Sequence, residues 1–177
     1  MSLVRTGIKL ILGTTPNIKV IGEADSGEEA VDWCRKKQCD VILMDMVMPG
    51  IGGLEATKKI LRYNPDAKII VLTIQTEEPY PTKIMQAGAS GFLTKGAEPE
   101  EMIRAIKDVA SGKRFISPSV AQQVALSNVS SIDTESPFKS LSERELQITE
   151  MIAKGLKAGD IAERLNLSPK TVNSYRY

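Results

Sequence analysis

Apolar and polar positions over the first two thirds of the chain switch repeatedly between two periods. "NIKVIGEA" (17–24), "DVILM" (40–44), "AKIIVLT" (67–73) and "GFLTK" (91–95) are short, rich in β-branched residues and bounded by turn-forming residues, so they read as strands. Between them the spacing is helical. "SGEEAVDWCRKK" (26–37) predicts a helix capped by Ser26 with Glu29 at the capping-box position. "GLEATKKILRYN" (53–64) sets Leu54, Thr57, Ile60 and Leu61 on one face, and a further helical stretch ends near Ala87. "EPEEMIRAIKDVASG" (98–112) turns Met102, Ile103, Ile106 and Val109 inward. Strands alternating with helices imply an α/β fold, a doubly wound parallel sheet with helices on both faces. Such sheets work beyond the carboxyl ends of their strands. Asp45, Thr73 and Lys95 fall at three of those ends.

After residue 112 the pattern changes. "SPSVAQQVALSNV" (117–129) reads as one more helix, and the Ser- and Pro-containing "SSIDTESPFKS" (130–140) as a linker. The remainder gives three helices and no strand. Ser142 and Glu145 make the capping box of the first, Gly155 and Gly159 break the chain before the second, and Ser168 caps the third with Pro169 at its first position. Two short helices joined by "NLSP" and docked on a longer one make a small all-α helix-turn-helix domain. The expected division is 1–115, 116–140 and 141–177.

Composition narrows the chemistry. The hydrophobic fraction is 42% and the charged fraction 25%, ordinary values for a water-exposed globular chain, and no apolar run reaches membrane-span length. With no signal peptide and two cysteines lacking ligand-type neighbours, a cytoplasmic location with reduced thiols is expected. The chain has no histidine, which excludes a His base, a His-ligated metal and a phosphohistidine of its own. A net charge of +1 says nothing about nucleic acid.

Asp, Thr and Lys at successive strand ends, with "MPG" turning the chain just after Asp45, form a set for phosphoryl transfer. The carboxylate attacks phosphorus and becomes an acyl phosphate. A hydroxyl and an ammonium then hold the new oxygens, and a divalent cation offsets the gathered charge.

The stretches "VIGEADSGEEAV", "VILMDMVMPGIGGLEATKKI", "VLTIQTEEP", "MQAGASGFLTKGA", "SPFKSLSERELQI" and "LNLSPKTVNSYRY" resemble a bacterial two-component response regulator of the LuxR/FixJ (NarL-like) type, in its GacA/UvrY group. The resemblance runs from about Leu3 to Tyr177. It implies a flavodoxin-like receiver followed by a DNA-binding helix-turn-helix, with Asp45 as phospho-acceptor, Thr73 as switch hydroxyl, Lys95 as phosphate-binding lysine, Phe92 as switch aromatic and the Val47 carbonyl as a magnesium ligand. In the second domain it implies that Asn173, Ser174 and Tyr177 face base edges while Lys170, Thr171 and Arg176 face phosphates. Asn173 has its own warrant, since a carboxamide pairs bidentately with adenine.

Two departures stand out. The family opens with an apolar strand ending in an acidic pair that binds magnesium. This chain opens instead with "MSLVRTGIKLIL", which matches the first helix, with Val4, Ile8, Ile11 and Leu12 on one face. The first strand is therefore expected to be missing, and Glu23 and Asp25 are not obvious replacements for the acids. At the other end the helix from Pro169 has only about 13 Å of length. The sequence is expected to be truncated at both ends, with Mg2+ binding weak or absent.

The expected function is a phosphorylation-dependent transcription regulator, not an enzyme beyond its own phosphoryl transfer and dephosphorylation. Its expected partners are a sensor histidine kinase or phosphotransfer protein, double-stranded DNA and, when phosphorylated, a second copy of itself. No membrane is involved. One alternative is a receiver-like interaction module not activated by phosphorylation in this form. A remoter one is an aspartyl-phosphate phosphohydrolase, which needs a second Asp where Val47 stands.

Overall fold

The computed structural model describes residues 2–74, 76, 80–118, 120–122 and 141–175. In chain order the elements are α1 (Ser2–Gly13), α2 (Gly27–Lys36), β1 (Ile42–Asp45), α3 (Gly52–Tyr63), β2 (Ile69–Thr73), α4 (Tyr80–Gln86), β3 (Gly91–Thr94), α5 (Pro99–Ala110) and β4 (Phe115–Ile116). Then come α6 (Glu143–Ala153), α7 (Ala158–Leu165) and α8 (Pro169–Ser174).

The four strands form one parallel sheet in the order β1-β2-β3-β4. All five residues of "IIVLT" in β2 are buried, as a strand covered on both faces requires. One face carries Ala30 and Val31 of α2, Leu54, Ala56 and Ile60 of α3, and Tyr80 and Ile84 of α4. The other carries Leu12 of α1 with Met102, Ala105, Ile106 and Val109 of α5. Each Val, Leu, Ile or Met among them contributes roughly 1.5–3 kcal/mol when fully buried, and this two-sided core holds the strand ends in place.

The doubly wound architecture matches expectation, with three differences. Residues 17–24 form no strand. A strand exists by hydrogen bonding to a neighbour, and residues 19–24 make no backbone-to-backbone hydrogen bond among the described residues. β1 is accordingly a sheet edge, and three of its four residues are only half-buried. Val4, expected on the buried face of α1 with Ile8, Ile11 and Leu12, is 45% exposed while Leu12 is buried. β4, only two residues long and reached through Gly112 at φ +89°, was too short to carry a readable pattern.

The second module has its own core of Ile148, Ile161, Ala162, Leu165 and Val172. Ser142 and Glu145 close a full capping box on α6. Gly155, at φ +80°, ends α6 as expected, but Gly159 lies inside α7 and breaks nothing. The tight turn is made by Asn166 in the left-handed region (φ 52°), which an asparagine tolerates. Of the helix read over 117–129, Pro118 and residues 120–122 are helical. The rest of it, and the linker 130–140, lie outside the described residues.

Candidate functional site

Asp45 is the last residue of β1, in register with Leu72, so Thr73 is one position further along the neighbouring strand. Thr73 pairs in turn with Thr94, and the Lys95 amide donates to the Thr73 carbonyl at 2.8 Å. The parallel register therefore delivers the three residues to one lip of the sheet. The Lys95 ammonium donates to Asp45 Oδ2 at 2.7 Å, and the Val47 amide donates to Oδ1 at 2.9 Å. Both partners of the ion pair keep some solvent access, 23% for the carboxylate side chain and 17% for the lysine. Thr73 and Phe92 are fully buried, Phe92 within the core on the α3 and α4 face.

The turn after Asp45 is fixed from several sides. Gly50 (φ +78°) and Gly52 (φ +77°) adopt conformations that favour glycine. Glu28 Oε1 accepts from the Ile51 amide at 3.0 Å, and the Gly27 amide donates to the Pro49 carbonyl at 3.2 Å. Gly53 lets the first turn of α3 press against β1, where its amide donates to the Met46 carbonyl at 3.0 Å.

This donor set does not fit a magnesium ion. Among the described residues no three His, Cys, Asp or Glu side chains gather as a metal site. Both Asp45 oxygens already accept hydrogen bonds, while Glu23 pairs with Arg5 and Lys9, and Asp25 pairs with Arg5. One carboxylate and one carbonyl fall well short of six oxygen ligands.

In the second module the Ser168 hydroxyl accepts from the Thr171 amide at 3.0 Å and lies 2.8 Å from the Thr171 hydroxyl. Val172 anchors α8 in the core, which leaves Lys170, Asn173 and Ser174 exposed. The Ser174 hydroxyl donates to the Thr171 carbonyl at 2.7 Å. Arg176 and Tyr177 lie outside the described residues. Hydrogen bonds from the Ser142 hydroxyl and amide hold the Glu145 carboxyl below its ordinary range. Burial, reinforced by neighbouring Cys39, pushes the Cys34 thiol up to about 11, so it is a poor nucleophile at neutral pH.

One residue escaped sequence reasoning. The Arg144 guanidinium donates to the Gly50 carbonyl at 2.6 Å, to the Leu165 carbonyl at 2.9 Å and to Gln147 Oε1 at 3.0 Å. It therefore joins the turn after Asp45 to the last turn of α7. Leu146 of α6 is buried in the receiver-side core, and Lys83 of α4 donates to the Leu141 carbonyl. Nothing in "LSERELQ" distinguishes such a bridging arginine from one on a solvated helix.

A model of the response regulator receiver domain matches residues 1–107, and one of the luxR family of bacterial regulatory proteins matches residues 139–177. The chain belongs to the LuxR-type response regulators. It is similar to the response regulator UvrY of Escherichia coli (strain K12), at 62% identity over 99% of this chain and 80% of that protein. It is also similar to the response regulator GacA of Pseudomonas aeruginosa, at 54% identity over 99% of this chain and 82% of that one. A solved structure of two RcsB dimers bound to two parallel DNAs aligns with a TM-score of 0.66 and 26% identity over 99% of this chain and 84% of that one. Among the described residues of the regulator, no helix is long and apolar enough to cross a membrane.

Proposed function

We propose that this regulator accepts a phosphoryl group on Asp45 and thereby controls DNA binding by its C-terminal module. The observation that carries this reading is the Lys95 ammonium 2.7 Å from Asp45 Oδ2 at adjoining strand ends. An Asp45 carboxylate oxygen bonds to phosphorus as the bond from phosphorus to the donor's imidazole nitrogen breaks. The leaving nitrogen keeps the electron pair and is protonated. Lys95 then shifts its hydrogen bond to a phosphoryl oxygen, and the Thr73 hydroxyl turns to another, which opens space for Phe92 to repack. Because the chain has no histidine, the donor is a separate sensor kinase or phosphotransfer protein.

The working division is a receiver over 1–115, a linker over 116–140 and a DNA-binding module over 141–177. Phosphorylation changes the turn that Arg144 grips, and the module's release and pairing with a second copy follow. The RcsB dimers on DNA support that outcome by analogy. Lys170, Thr171 and Arg176 contact phosphates, while Asn173, Ser174 and Tyr177 face bases, in the cytoplasm where the chromosome is reached. The regulator turns over no outside substrate and catalyses only its own phosphorylation and dephosphorylation. With Val47 in place of a second acid, a phosphohydrolase reading has no general acid. Receivers generally use magnesium, and the Val47 carbonyl with Asp45 is the remaining place for it here, too poor in oxygens for tight binding.

The test is labelling with a small radiolabelled acyl phosphate. Wild-type protein gains base-labile phosphate, Asp45→Asn gains none, and Lys95→Ala is slowed. Equal labelling of Asp45→Asn refutes the assignment.

A further inference from the structure

The receiver grips the DNA-binding module at α6. Arg144 donates to the Gly50 carbonyl, and Leu146 is buried in one core cluster with Met48, Leu54 and Ile84. The Leu141 carbonyl, just before α6, accepts from Lys83 of α4. Ile148, Met151 and Ile152 of the same helix belong instead to the module's own core, with Ile161 and Leu165 of α7. α6 is thus the layer between the receiver and that second core. α8 enters the second core through Val172. At about 3.6 residues per turn, Lys170, Asn173 and Ser174 share one face of α8 and Val172 lies on the opposite one. All three are exposed while the module is docked. Arg144 also holds the Leu165 carbonyl, so the residue that fixes the module to the receiver fixes the end of α7, from which the turn leads to α8.

We propose that the docked module binds DNA without release: the unphosphorylated chain takes one segment of duplex on the exposed face of α8 while the receiver stays seated on α6. This rests on the reading of α8 as the DNA-contacting helix. Receiver and duplex then occupy different surfaces of the module and do not compete. Binding that required undocking would proceed only through the undocked fraction, and the apparent affinity would fall by that fraction. Separate surfaces carry no such loss. Phosphorylation then governs the pairing of two modules at the spacing of one DNA turn, roughly 34 Å, and not access to the α8 face.

The test reads amide exchange of the whole unphosphorylated chain by mass spectrometry, alone and saturated with a random-sequence DNA hairpin at one low salt concentration. A stem of about 10 base pairs is too short to seat two modules a full turn apart. The 50–53 turn reports docking, because Arg144 holds its Gly50 carbonyl. The expected result is new protection over 168–174 with exchange over 50–53 unchanged. Anisotropy titrations with the same hairpin should show weaker binding by Lys170→Ala, an exposed position whose loss leaves the fold intact. A rise of about fivefold or more in 50–53 exchange on adding DNA overturns the proposal, since the duplex then displaces the receiver. Arg144→Ala shows the exchange that a freed turn reaches, and a value equal to wild type overturns the proposal by removing the grip it assumes. Absence of protection over 168–174, or binding indifferent to Lys170→Ala, overturns it together with the placement of the DNA-contacting helix.

Discussion

Substituting Gly53 by alanine tests how closely α3 must approach the strand that carries Asp45. An added Cβ would lie 2.1 Å from the Asp45 carbonyl oxygen and 2.9 Å from the Met46 Cα. These are backbone atoms that cannot rotate aside. Reaching an ordinary contact of 3.4 Å requires α3 and β1 to part by about 1.3 Å, which also stretches the Gly53-to-Met46 hydrogen bond. Overpacking of this kind costs about 1–3 kcal/mol. The weakened hydrogen bond costs about 0.5–1.5 kcal/mol more, and the better helix propensity of alanine returns up to about 1 kcal/mol. A net loss of about 2 kcal/mol lowers the receiver's Tm by on the order of 10 °C. Gly7→Ala in α1 is the control. It meets nothing within 4 Å, so propensity alone acts and the Tm should rise slightly. Thermal melts followed by circular dichroism read both. Two variants shifting together in either direction would refute the claim that the α3–β1 contact is limiting.

Arg144→Ala removes a charged donor from the Gly50 carbonyl. At about 1–2 kcal/mol, that loss should raise amide exchange in the 50–53 turn by roughly 5- to 30-fold, and unchanged exchange would remove Arg144 from the coupling. Asn173→Ala should relax discrimination at one base pair by about 1–3 kcal/mol. Lys170→Ala should weaken binding to all sequences and flatten the salt dependence, and anisotropy titrations at fixed salt separate the two. Calorimetric titration with magnesium should show much weaker binding than a receiver bearing an acidic pair, and tight binding lost in Asp45→Asn would contradict the ligand count.

The strand ends were legible because a β-branched apolar run such as "VILMD" closes on a carboxylate just before the turn-forming "MPG", and a parallel sheet works at that end. The caps at Ser26, Ser142 and Ser168 were legible because a side chain bonding its own helix end is a local event. At Ser26 the Glu29 carboxylate reaches the Asp25 amide, one residue before the expected one. What needed the fold was non-local. Residues 17–24 have strand composition, but among the described residues no strand lies beside them to bond. Arg144 bonds Gly50, 94 positions away in sequence, and neither residue alone signals the other. Gly159 resembled a helix breaker, yet it is not among the glycines with positive φ and α7 continues through it, whereas Gly155 at φ +80° ends α6.

Reductive trapping of the phosphorylated chain addresses the central claim most directly. Borohydride converts an acyl phosphate on aspartate to homoserine, and peptide mass spectrometry then locates the change. The account predicts homoserine at position 45 and nowhere else, with none formed in Asp45→Asn. Homoserine at another aspartate, or phosphate retained on a hydroxyl such as Thr73, would contradict it.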